Sequence, residues 1–176
     1  MARVFVLLCW ALLISTTASA QSLSERWGLN SLLGISPSAQ DFVNQVALNE
    51  MLELELSRLA EQRAGEKIRK FAATMLEDHK QTSSQMKALV RGGSVKVSFP
   101  AVLDRTRQFA LDKIKELNGP DFDREFENIQ IQIHESTVSL FERYGGDGDH
   151  PDLKSFAIRH LPHLQEHWRL ARDLKG

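Results

Sequence analysis

The sequence predicts an all-α fold in which four long helices form a bundle. Apolar residues recur at helical spacing through most of residues 38–174. Alternation typical of a strand is confined to the short stretch Val95–Phe99. Clusters of glycine and proline divide the region into four long segments of similar length and one shorter segment. The length and composition are those of a single domain that its own core can stabilise.

Start and stop residues delimit each predicted helix. Ser38, followed three residues later by Asp41, makes a capping-box-like start for the first helix. Pro100 opens the third helix and Pro151 opens the last. Pro162 falls inside the last helix, where it either kinks a continuous helix or separates two shorter ones. The expected helices span residues 38–64, 66–91, 100–117, 121–144 and 150–174.

The lengths of the connections predict how the helices pair. The turn at Gly65 is tight and the glycine-rich loop 145–149 is short, so each joins two antiparallel neighbours. The connection between the two pairs is long and carries the short third helix. This is a four-helix bundle with a long crossover, the connectivity of ferritin-like folds.

The N-terminus is typical of a secretory signal peptide. Arg3 precedes the apolar run Val4–Ile14, which is too short to span a bilayer, and Ala18-Ser19-Ala20 is a small-residue cleavage pattern. We therefore expect a signal peptide over residues 1–20, an N-terminal arm over residues 21–37 and the bundle over residues 38–174. No later segment is apolar over a length that would cross a membrane.

The amino-acid composition indicates a cellular compartment and excludes one class of partner. Cys9, the single cysteine, lies within the predicted signal peptide, so the mature chain has neither disulfide nor thiol chemistry. Export without disulfides is consistent with a bacterial periplasm. The formal net charge is −1 and no basic stretch is present, which argues against a nucleic-acid partner. The arm carries Trp27, Leu32 and Leu33, and either packs on the bundle or contacts a protein or envelope partner.

Polar residues interrupt the apolar face of every long helix near its middle, where such residues are unwelcome. Glu53 and His79 lie at nearly equal distances from the Gly65 turn, and His134 and His160 lie at nearly equal distances from the loop 146–149. The pattern predicts a buried polar cluster at mid-height. Its candidate members are Glu53, His79, His134, His160, His163 and His167.

Two interpretations of this cluster stay open. The histidines either hold the core through hydrogen bonds to carboxylates, to Tyr144 or to buried water, or they bind a transition metal such as iron, zinc or copper. In the second case Asp78, Glu135 or Glu166 could orient the ligating rings. Motifs for a catalytic nucleophile, a phosphate-binding loop and a zinc protease are absent from the sequence. An enzymatic activity is therefore not indicated.

Several motifs in order resemble a known family. The run Asn49–Ala60 carries Glu-x-Glu before Leu-x-x-Leu-Ala, and the run Phe71–His79 reads Phe-Ala-x-x-Met-x-x-Asp-His. Gly119–Asp123, His134 and Leu161–His167 follow. Together these are similar to the bacterial exported family called domain of unknown function 4142. The similarity covers roughly residues 38–174.

The resemblance implies a ferritin-like bundle in the periplasm or associated with the outer membrane, without an agreed activity. His160 and His163 depart from the family pattern, so a site that uses them would be particular to this chain. The recurring polar positions of the family correspond here to Glu53, Asp78, His79, His134 and His167.

A di-iron centre is disfavoured by the residues before the histidines. Di-iron bundles use Glu-x-x-His on two helices, but here Leu76 precedes His79 and Ile131 precedes His134 at that offset. We expect an exported, non-catalytic bundle with a His-rich mononuclear site. The alternative is a structural or interaction protein of the cell envelope that binds no metal and acts in stress or envelope maintenance. A metal-dependent redox enzyme is a third, less favoured class.

Overall fold

The computed structural model describes residues 33–175, which form five α-helices and no strand. The predicted signal peptide and residues 21–32 of the predicted arm lie outside these described residues. The helices, numbered in chain order, are α1 (Ala39–Arg63), α2 (Glu66–Arg91), α3 (Arg105–Lys115), α4 (Gly119–Asp147) and α5 (Pro151–Asp173). Among them, none combines the length and the apolar character that crossing a membrane requires.

The four long helices close into a bundle. α1 packs along α2 and α4 packs along α5, while α1 also contacts α4 and α2 also contacts α5. α3, on the crossover between the two pairs, packs against α1 and α4. The predicted all-α four-helix bundle with a short helix on its long crossover is therefore confirmed.

Two aspartates and a serine determine where α1 and α3 begin. Oγ of Ser38 accepts a 3.2 Å hydrogen bond from the backbone N–H of Asp41, as the sequence predicted. Asp104 accepts the backbone N–H of Arg107 at 2.8 Å and so begins α3. The expectation that Pro100 opens this helix was wrong. The helix begins at Arg105, because the side chain of Asp104 accepts one of the backbone N–H groups that the first turn leaves unpaired.

α4 is longer than expected at both ends, and the prediction that it stops at Tyr144 was wrong. It continues through Gly145 and Gly146 to Asp147, and the N–H of Gly148 closes its last turn on the carbonyl of Tyr144 at 2.8 Å. A Cβ at Gly145 would lie 3.2 Å from Cγ1 of Ile158. The missing side chain at this position allows close approach of α5, and that packing outweighs the weak helix propensity of glycine.

α5 runs without interruption through Pro162, so the alternative of two shorter helices does not hold. Proline removes a backbone hydrogen bond to the carbonyl four residues earlier, here that of Ile158. Both residues are exposed on the outer side of the helix, where water can take the place of the lost donor.

Buried polar residues divide the core into two apolar clusters. The first cluster, at the α1–α2 turn, includes Leu56, Met75 and Phe126. The second cluster, at the α4–α5 loop, includes Phe42 and Phe141. Between them lies a band of side chains, called here the polar layer: Asn49, Glu50, Glu53, His79, Thr82, Gln130, His134, Thr137 and His167.

Candidate metal centre

Three histidines of the polar layer converge from three helices. His79 of α2, His134 of α4 and His167 of α5 are exposed by only 5%, 1% and 2%. Their ring centroids form a nearly equilateral triangle, with separations of 5.7 Å, 5.5 Å and 5.4 Å. Each histidine has one ring nitrogen that lies within 4.8 Å of a ring nitrogen of both other histidines. A single ion could therefore contact all three after small side-chain movements.

Two of the three rings are oriented by a hydrogen bond from one nitrogen to an oxygen atom, and the third has a carboxylate oxygen at ion-pair distance. Nδ1 of His134 donates to the backbone carbonyl of Gln130 at 2.9 Å, which leaves the lone pair on Nε2. Nε2 of His167 donates to Oδ2 of Asp78 at 3.1 Å, which leaves the lone pair on Nδ1. Nδ1 of His79 lies 3.2 Å from Oε1 of Glu50, at ion-pair distance but poorly aligned for a hydrogen bond.

The opposite nitrogens have no hydrogen-bond partner among the described residues. They are Nε2 of His79, Nε2 of His134 and Nδ1 of His167. Buried polar atoms are paired in most native proteins, so an unpaired nitrogen on each of the three rings is what a ligand-binding site would show. Histidines that bind metals show this same arrangement, with an oxygen acceptor on the nitrogen away from the ion.

Two carboxylates of α1 border the triangle. Glu53 is fully buried, and its Oε2 accepts a 2.8 Å hydrogen bond from the side-chain amide of Gln130. Oε1 of Glu53 and Oε2 of Glu50 lack a partner within the described part of the chain. Burial raises the pKa of Glu53, while the nearby His79 lowers it. The two carboxylates make the surroundings of the histidines favourable to a cation.

The electrostatics of the cluster favour one positive charge rather than three. Burial lowers the pKa of His79, but Glu50, Glu53 and Asp78 outweigh it and raise this pKa to about 9. Burial and repulsion from the other imidazoles hold the pKa of His134 well below its usual value, and lower that of His167 to about 4. At neutral pH the metal-free cluster therefore contains one imidazolium and two neutral imidazoles.

The remaining candidates lie outside the triangle. His160 is partly buried, with Nε2 3.0 Å from Oε1 of Gln85 and its ring 4.3 Å from that of Phe156. The side chain of His163 is 51% exposed and contacts Asp78. Glu53 borders the cluster without belonging to the group of three nitrogens.

The expected pairing of His134 with His160 was wrong, and the length of α4 explains why. Because α4 extends to Asp147 and α5 begins at Pro151, the loop between them is centred near residue 149. The predicted loop 146–149 was centred between residues 147 and 148. The position on α5 opposite His134 therefore moves by about one helical turn, toward His167. Of the histidines near that level, His167 is on the buried face.

Two residues of the site were not among the predicted ligands or orienting groups. They are Glu50, which contacts His79, and Gln130, which donates a hydrogen bond to Glu53. Their spacing could have revealed them: Glu50 lies three residues before Glu53 and Gln130 lies four before His134, so each shares a helix face with a predicted site residue. Of the predicted orienting residues, Asp78 contacts His167. Glu135 and Glu166 are exposed on the outer face.

The fold and the site define an all-α bundle protein with a buried three-histidine cluster bordered by carboxylates. Residues 30–174 match the family described as Domain of unknown function (DUF4142), and the chain belongs to this family. The resemblance seen in the sequence is thereby confirmed. No curated protein and no solved structure matches the chain. The polar positions implied by the resemblance either form the triangle, as His79, His134 and His167 do, or lie beside it, as Glu53 and Asp78 do.

Proposed function

We propose that this protein binds one transition-metal ion per chain through His79, His134 and His167. Two observations carry the proposal. Three buried histidines from three helices each place one ring nitrogen within 4.8 Å of a nitrogen of the other two, and each ring has a nitrogen without a hydrogen-bond partner among the described residues. Nitrogen donors of this kind suit zinc, copper and iron. The protein would act as a metal-binding bundle, without an assigned reaction.

A purely structural polar core is the competing function. Such a core would pair its polar groups, because each unpaired buried donor or acceptor costs about 1–3 kcal/mol. The triangle instead leaves at least one nitrogen of each histidine, and both nitrogens of His79, without a hydrogen-bond partner in residues 33–175. A bound ion would satisfy all three, which is why metal binding is favoured over an envelope protein whose histidines only hold the core.

Glu53 is the residue best suited to complete the ligand set. Its charge acts directly on His79, and one of its carboxylate oxygens is without a partner among the described residues. Three imidazoles and one carboxylate make a four-ligand set for a mononuclear site. The oxygen acceptors on the outer nitrogens would hold the rings in the ligating tautomer.

Metal content of matched variants tests the proposal. The purified protein is stripped with a chelator, reloaded separately with zinc, copper and iron, desalted and analysed for bound metal. We expect about one ion per chain and a raised melting temperature for at least one of these metals. His134→Asn should lose the ion, whereas His160→Asn, whose ring contacts Gln85 and Phe156 and lies outside the triangle, should retain it. Absence of bound metal together with an unchanged melting temperature would refute the proposal.

We further propose that the chain works after export, in the periplasm or at the outer membrane. Support comes from Arg3, the apolar run Val4–Ile14 and the small residues Ala18-Ser19-Ala20. The mature N-terminus of protein recovered from a cell-envelope fraction should be Gln21. Recovery of the intact N-terminus from the cytoplasm would contradict this location.

A further inference from the structure

A second group of side chains of types that can ligate a metal adjoins the triangle at the protein surface. Oδ2 of Asp78 lies 3.1 Å from Nε2 of His163 and 3.1 Å from Nε2 of His167. Donor atoms of these three residues lie within 4.8 Å of one another. Their side chains are 23%, 51% and 3% exposed, in the order Asp78, His163 and His167. The group therefore runs from solvent to the buried cluster.

His167 belongs to both groups, and we assign its Nε2 to the surface group and its Nδ1 to the triangle. Its Nε2 faces Asp78, whereas its Nδ1 is the unpaired nitrogen on the other side of the ring. A neutral imidazole has one lone pair, so it can ligate an ion through one nitrogen while the other carries the proton. The tautomer of His167 thus determines which of the two groups it can serve.

We propose that Asp78, His163 and His167 form a surface loading site that receives the metal ion and passes it to the buried triangle. This inference rests on the proposed metal-binding function. The ion first binds Nε2 of His167, which loses its proton to solvent while Nδ1 is protonated. When the ion moves to Nδ1, that nitrogen releases its proton and Nε2 regains one, which again bonds Asp78. His167 therefore alternates between the two positions of the ion.

Another opening near the polar layer is less suited to an ion. A cavity of about 170 Å³ between α1 and α2 also reaches Glu50. Its lining is mainly apolar and includes Met51, Met86 and Phe99. A hydrated cation would lose water there without gaining nitrogen ligands, whereas the surface group offers a carboxylate and an imidazole at the first step.

Shared use of His167 has a consequence for stoichiometry. With neutral His167, occupation of the triangle removes one ligand from the surface group. The chain should therefore bind one ion tightly rather than two. Two ions of equal affinity per chain would overturn the proposal.

The kinetics of cobalt uptake test the loading step. Metal-free protein is mixed with Co²⁺ in a stopped-flow instrument, and the visible absorption of the bound ion is followed for the parent, His163→Asn and the control His160→Asn. We expect His163→Asn to slow uptake about tenfold or more, because it removes the exposed ligand that concentrates the cation. Its stoichiometry and Kd should match the parent, so release must slow by the same factor. The control should load at the parental rate.

Other outcomes separate the two proposals. Uptake by His163→Asn at the parental rate would overturn the loading step and leave the triangle intact. Loss of the ion or of affinity in His163→Asn would show His163 to be a ligand of the final site, which also overturns loading. A parent that takes up no cobalt, zinc, copper or iron would refute the proposed function and, with it, the route.

Discussion

The side-chain amide of Gln130 donates a 2.8 Å hydrogen bond to Oε2 of Glu53 and joins α4 to α1 within the polar layer. Both side chains are completely buried. The backbone carbonyl of the same Gln130 accepts from Nδ1 of His134. One residue of α4 therefore holds both the carboxylate and a ring of the triangle in place.

Replacing Gln130 should destabilise the metal-free protein strongly. In Gln130→Met the buried carboxyl of Glu53 loses its hydrogen-bond donor, and leaving a buried polar group unpaired costs about 1–3 kcal/mol. We expect the free energy of unfolding, measured by urea titration at pH 7, to fall by about that amount. The double variant Glu53→Met/Gln130→Met, which leaves neither partner unpaired, should recover most of the loss. A double variant no more stable than Gln130→Met would contradict this account.

Stability of the metal-free protein should be greatest near pH 6.5. The pKa of His79 is raised to about 9, so the stability it contributes is present at pH 6.5 and is lost as the pH rises through 9. His134 and His167 have lowered pKa values, that of His167 to about 4, so their contribution is lost as the pH falls below 6.5. The pKa of Glu53 is raised, so its contribution to stability increases as the pH falls and partly offsets the loss from the two histidines.

Urea titrations at pH 5 to 9 in the presence of a chelator check this profile. A difference of one bound proton changes the free energy of unfolding by about 1.4 kcal/mol per pH unit. His79→Asn should remove the decline above pH 6.5, and His134→Asn should flatten the decline below it. A parent whose stability is the same at pH 7 and pH 9 would contradict the assignment to His79.

Metal binding at pH 7 should release about one proton per ion from the histidines of the triangle. His79 is the ring of the triangle that is protonated at this pH, whereas the lowered pKa values leave His134 and His167 neutral. Calorimetric titration with zinc in buffers of different ionisation enthalpy gives the number of protons. Affinity should fall about tenfold for each pH unit between 9 and 6.5. His160→Asn should leave the proton count unchanged, and release of three protons would be inconsistent with the electrostatics described.

Two glycines at the end of α4 should respond oppositely to alanine. A Cβ at Gly148 would lie 2.5 Å from the carbonyl oxygen of Tyr144 and 2.6 Å from its ring, so Gly148→Ala should cost about 1–3 kcal/mol. A Cβ at Gly146 would meet open space, and Gly146→Ala should gain up to about 1 kcal/mol from helix propensity. Thermal unfolding of the two variants measures the difference. A stabilised Gly148→Ala would show that the turn is able to rearrange.

Much of the fold could be predicted because its signals are local. Ser38 and Asp41 lie three residues apart, and their contact depends on one turn of chain. The end of α4 could not be predicted in this way, since Gly145 packs closely against Ile158, which belongs to another helix. Asp104 belongs to the same class of capping residues as Ser38, so the start of α3 is also a local signal, although Pro100 was the predicted start.

The candidate site, too, was predictable where it depends on one helix and unpredictable where it depends on contacts between helices. Helical periodicity was enough to put Glu53, His79 and His134 on inward faces, because the direction of a side chain follows from its position along the helix. The relative height at which α4 and α5 pack decides which histidine of α5 joins them. Because α4 is three residues longer than predicted at its C-terminal end, His167 lies in the triangle and His160 lies beside Phe156. The contacts of Glu50 with His79 and of Gln130 with Glu53 likewise exist only between helices. Spacing along one helix holds no information about distances to another, so these pairs were decided by tertiary packing.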